Sequence, residues 1–148
     1  MNKKIIGILI ITLFLVSTYT NAKIINQNEE VLDQSQTSMN IWKVLSPTHQ
    51  LAQSFVPSLN RLSKVEVYLI KNGIPSYTDI IFSIKDSQTE DNLAIIEKSV
   101  NEISTGWIEL DFQDLNVTPK KFYYIVCKTI GEWNVSLQNA VFWGGSDR

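Results

Sequence analysis

The chain reads as an all-β protein, an antiparallel β-sandwich of jelly-roll type with about eight strands. Three observations lead there. Apolar residues recur at period two in segment after segment, the mark of half-buried strands. Gly, Pro, Asn and Asp break these segments at intervals of roughly 10 to 15 residues. Beyond the N-terminus, no long helical pattern appears.

The N-terminus is a separate unit. Lys3 and Lys4 precede the apolar run Ile5–Val16, followed by the more polar Ser17-Thr18-Tyr19 and the small-residue exit Thr20-Asn21-Ala22. This is the three-part pattern of a secretory signal peptide. The run is shorter than the ~20 apolar residues a spanning helix needs. Residues 1–22 are therefore read as a signal cleaved after Ala22, the alternative being an uncleaved anchor. No cysteine adjoins the cleavage point and no second hydrophobic segment follows. The product is expected to be secreted, extracellular or held at the cell surface, with no stable membrane insertion after cleavage.

Residues 23–30 form a polar leader, and 31–148 the sandwich domain. Val31-Leu32-Asp33-Gln34 is expected to open the domain as an edge strand. Leu51–Val56 alternates Leu51, Gln53 and Phe55 against Ala52, Ser54 and Val56, and Pro57 ends it. In Leu62–Ile70 one face is Val65, Val67 and Leu69, the other Lys64, Glu66 and Tyr68. Asn72-Gly73 is a turn signal, Gly supplying the positive φ, and Ile74–Tyr77 continues that loop. Asp79–Asp86 puts Ile80, Phe82 and Ile84 on one face, and Ser87–Asn92 is a polar loop. Leu93–Val100 fits a strand or a short helix; its β-branched residues and its neighbours favour the strand. Gly106–Phe112 alternates most clearly, with Ile108, Leu110 and Phe112 facing in and Trp107, Glu109 and Asp111 facing out. Phe122–Ile130 is nearly continuously apolar, as a central strand covered on both faces would be. Trp133–Leu137 alternates again, and Val141-Phe142-Trp143 is a last short strand.

Composition narrows the function classes. With 13 Lys and Arg against 15 Asp and Glu the chain is mildly acidic, and losing Lys3 and Lys4 makes it more so. It has no basic cluster to neutralise phosphates, so nucleic acid is not an expected partner. The only adjacent basic pair is Lys120-Lys121 in the domain, before a strand, and reads as solvated. Cys127 is the single cysteine and lies in an apolar strand, where a thiol behaves as a small hydrophobe. Asn116-Val117-Thr118 and Asn134-Val135-Ser136 are acceptor sequons in a host that glycosylates.

The order Leu51–Pro57, Leu62–Leu69, Ile84-Lys85-Asp86, Trp107–Phe112 and Phe122–Val126 resembles the jelly-roll modules of secreted and surface-attached archaeal and bacterial proteins, the choice-of-anchor type. The resemblance spans most of Val31–Trp143. It implies a sandwich similar in architecture to carbohydrate-binding and adhesion domains, and it brings no functional residues with it. Such modules continue past the final aromatic-glycine pair, here Trp143-Gly144. The domain is accordingly expected to be truncated at its C-terminus, leaving a sheet edge open.

Catalytic constellations are sparse. No Gly-x-Ser-x-Gly occurs, and the one histidine, His49, has no partner legible in sequence. Glu109 and Asp111 share a strand face at about 6.6 Å, a spacing glycosidases use, but alternation alone produces it. One His and one Cys make no zinc set. No catalytic residue, metal site or cofactor is assigned. A structural calcium could take oxygens from the loop Asp86–Asn92, though it lacks the EF-hand pattern. Aromatics are the surplus. Trp42, Tyr77, Trp107, Trp133 and Trp143 are the candidate ligand-binding residues, because flat rings stack on the C–H faces of sugars; each could instead pack in the core.

The expected function is a non-catalytic binding or adhesion module at the cell surface, with a glycan or a cell-surface protein as partner. The alternative is a structural unit that assembles through an open edge strand. A glycoside hydrolase using Glu109 and Asp111 ranks last.

Overall fold

The computed structural model describes residues 31–87, 91–132 and 136–145. Eight strands follow one another: β1 (Ile41–Val44), β2 (Leu51–Phe55), β3 (Arg61–Asn72), β4 (Tyr77–Lys85), β5 (Ala94–Ser99), β6 (Gly106–Asn116), β7 (Tyr123–Gly131) and β8 (Ala140–Gly145). A single 3-10 turn, Val100–Glu102, interrupts them among the described residues. The strands form two four-stranded antiparallel sheets in the orders β1-β8-β3-β6 and β2-β7-β4-β5. Successive strands alternate between the sheets except at β4 and β5, which pair within one sheet, and this is the jelly-roll winding the pattern predicts.

Alternation decides what lies between the sheets. Val67, Leu69, Leu110, Phe112, Val141 and Trp143 come from the first sheet; Tyr77, Ile80, Phe82, Ile84, Tyr123 and Cys127 come from the second. Burial pushes the Cys127 thiol well above its ordinary value, so it is a core residue rather than a reactive one. Asn72-Gly73 makes its turn with Gly73 at φ +54°.

Three expectations are corrected. Residues 31–40 contain no strand, and the first is Ile41–Val44. Val31 and Leu32 are exposed, and Asp33 and Gln34 bond by side chain: Asp33 accepts from Ser58 and Leu59, and Gln34 from Val56 N. Their polar groups are thus spent on the Val56–Leu59 loop, not on a ladder. The final strand is not at an open edge either. β8 is flanked by β1 and β3, with Val44 opposite Phe142 and Leu69 opposite Trp143. Finally, Ser136 and Leu137 belong to no strand; residues 133–135, including Trp133 and the sequon residue Asn134, lie outside the described residues, as does the signal-like segment.

Candidate aromatic binding face

The face of the first sheet turned away from the core carries the site. On β3 the residues pointing outward are Lys64, Glu66, Tyr68 and Ile70; on β6 they are Trp107, Glu109 and Asp111. Register brings them into rows. Tyr68 stands opposite Trp107, Glu66 opposite Glu109, and Lys64 opposite Asp111. From the other side of the sheet, Trp42 on β1 stands opposite Gly144 on β8. Gly144 is the next residue after Trp143, the partner of Leu69, and so lies level with Tyr68. One row therefore crosses all four strands: Trp42, Gly144, Tyr68, Trp107.

Gly144 is what lets the row close. A Cβ there would meet the Trp42 ring at 2.6 Å, so the indole lies over the glycine and reaches across β8. It meets Tyr68 with ring centroids 5.9 Å apart at 62°. Tyr68 meets Trp107 at 5.4 Å and 87°. Edge-to-face contacts at such distances are favourable and fix the rings relative to one another. Trp42 and Trp107 nevertheless stay 39% and 44% exposed. Beside this row, Val44, Phe142 and Ile70 form a second, half-buried apolar row. On the other flank lie the carboxylates of Glu66, Glu109 and Asp111, with Lys64 Nζ 3.5 Å from Glu109 Oε2. A cleft of about 730 Å³ adjoins them, lined by Val31–Met39 and by Glu66, Tyr68, Trp107 and Glu109 among others.

The predicted aromatics thus divide. Trp42 and Trp107 share this face. Trp143 is 6% exposed and turned into the core, since β8 is an interior strand and its odd positions point inward. Tyr77 is 2% exposed: it opens β4, a register shift before Asp79 turns its ring inward, and its hydroxyl accepts from Val141 N at 2.6 Å. Both are corrected from binding residues to core. Two residues of the row were not singled out in the sequence: Tyr68, although alternation put it on the outer face, and Gly144, which reads there as part of a tail.

The other constellations stand apart. Glu109 and Asp111 are both exposed on the open sheet face, Glu109 at one side of the cleft. His49 Nδ1 bonds Thr48 Oγ1 at 2.9 Å and Ser46 Oγ at 3.3 Å within the turn after β1. Asp86 of the acidic loop accepts from Lys121 Nζ at 2.9 Å, and residues 88–90 of that loop lie outside the described residues. Among the described residues no three His, Cys, Asp or Glu side chains converge as a metal set would.

The fold and this face define an eight-stranded jelly-roll sandwich with one aromatic outer face. No family model, no curated protein and no solved structure matches the chain.

Proposed function

We propose that this protein is a non-catalytic, carbohydrate-binding module acting at or outside the cell surface, with the row Trp42–Tyr68–Trp107 as its platform. The observation that carries the reading is the exposure of two tryptophans on one sheet face, held in place by a tyrosine between them. Sugar rings present apolar C–H faces and a rim of hydroxyls. An indole covers the first, and adjacent carboxylates accept from the second. Glu66 and Glu109 stand one outward position along the strands from Tyr68 and Trp107, within reach of a sugar seated there. The signal-like residues 1–22 support export.

The edges of the sandwich speak against the assembly alternative at β6, the longest edge strand. It carries Glu109, Asp111 and Asp114, so a second β6 would bring like charges together.

The test is a tryptophan-fluorescence titration of the purified chain with soluble polysaccharides, with iodide as quencher. A saturable shift with one glycan and loss of iodide access support the platform. Iodide access that no glycan changes, across the panel, removes the reading.

A further inference from the structure

The charge beside the platform selects among sugars. Glu66 and Glu109 face each other directly across β3 and β6, where side chains stand about 5 Å apart at Cβ and like charges repel. The next outward pair is Lys64 and Asp111. The two rows together hold three carboxylates and one ammonium, Lys64 Nζ, which pairs with Glu109 at 3.5 Å. The strip is acidic, exposed and immediately beside Trp107, whose ring is itself attractive to cations. The opposite flank of the row, Val44, Phe142 and Ile70, carries no charge.

We infer that the ligand is an amino sugar polymer with free ammonium groups. This rests on the platform reading above and narrows it. The next outward pair lies about 6.6 Å along the strand from the Tyr68–Trp107 row, a gap that a substituent of a pyranose stacked on Trp107 and the flexible Glu66 and Glu109 side chains close between them. An ammonium there sits between Glu66 and Glu109, relieves their repulsion, and lies against the Trp107 ring. Neutral sugars gain the stacking and hydroxyl bonds to the carboxylates, but no ion pair. Uronic acid or sulfated polymers meet the carboxylates and are repelled.

The experiment titrates the purified chain, at mildly acidic pH where the sugar amines are charged, with glucosamine oligomers, with N-acetylated oligomers of the same length, and with polygalacturonate. Glucosamine oligomers are expected to bind roughly fivefold or more tightly than acetylated ones, and polygalacturonate not at all. The preference should shrink with added salt. The double variant Glu66→Gln/Glu109→Gln should lose the preference for free amines and bind the two oligomers with similar affinity. These positions are exposed, and removing like charges leaves the sandwich intact, so loss of folding does not confuse the result. Equal binding of acetylated and free-amine oligomers by the wild type overturns the inference and leaves the platform standing. Binding of none of the three also overturns the inference, and the platform reading then stands or falls on the wider polysaccharide panel.

Discussion

The two outer faces of this sandwich have the same strand count and opposite character. The β1-β8-β3-β6 face carries Trp42, Tyr68 and Trp107 in one row and Phe142 and Ile70 in the next. At the middle of the β2-β7-β4-β5 face the row is Ala52, Val126, Ser83 and Ile95. Flanking it are Lys128, Ile81 and Glu97, so charges there come in both signs. Val126 and Ser83 are buried. On the strands of the second face the one outward ring is Tyr124, partly buried between Ser54 and Lys85. The large exposed rings of the first are therefore surplus to packing, and Gly144, which clears space for one of them, makes the same point from the backbone side.

Substitutions on the two faces and in the core should separate their roles. The largest effect belongs to an aromatic that faces inward. Trp143→Ala should cost about 3–5 kcal/mol of unfolding free energy by urea titration, whereas Trp107→Ala should cost about 1 kcal/mol or less. Similar losses for both would erase the division between core and platform. Next comes Tyr77→Phe, which leaves the buried Val141 N–H without its acceptor and should cost about 1–3 kcal/mol. Burial also raises the Tyr77 hydroxyl above its ordinary 10.0, partly offset by the bond from Val141. The folded state thus holds that proton more tightly than the unfolded chain. Its contribution is complete below pH 10 and is lost as pH rises through the folded-state value. Cys127 acts in the same direction from its ordinary 9.0. Stability should fall on the alkaline side from about pH 9, and Cys127→Ala should delay the onset. A flat profile to pH 11 in thermal melts would contradict the burial of both groups.

Smaller effects lie on the surface. Gly144→Ala puts a methyl where the Trp42 ring lies, so the ring must move. Near-ultraviolet circular dichroism should change, with a stability loss of about 1 kcal/mol. Ile95→Ala, on the other outer face, should change stability by about 0.5 kcal/mol and the spectrum not at all. An unchanged spectrum in Gly144→Ala would mean that the indole does not depend on that gap.

Much of the fold was legible because alternation is local. Val65, Val67 and Leu69, or Ile108, Leu110 and Phe112, declare their faces within one strand, and Trp107 and Tyr68 fall outside by the same rule. What was not legible is pairing between strands distant in sequence. Nothing local says that Trp42 lies across from Gly144, or that Glu66 meets Glu109. Trp143 looked like a terminal aromatic until β8 took its place between β1 and β3. Tyr77 sat in a turn-like Pro-Ser-Tyr stretch, and only the register shift before Asp79 turns it inward. Val31-Leu32 suggested a strand because an apolar pair is a weak signal, and the neighbouring Asp33 instead uses its carboxylate on Ser58.

The most direct test sets the two faces against each other in one binding assay. The glycan that shifts wild-type fluorescence would be titrated by calorimetry into Trp42→Ala/Trp107→Ala and into Ile95→Ala. The account expects the double variant, folded by circular dichroism, to lose about tenfold or more in affinity, and Ile95→Ala to bind like wild type. Undiminished binding by the folded double variant would contradict the assignment of the aromatic row as the binding face.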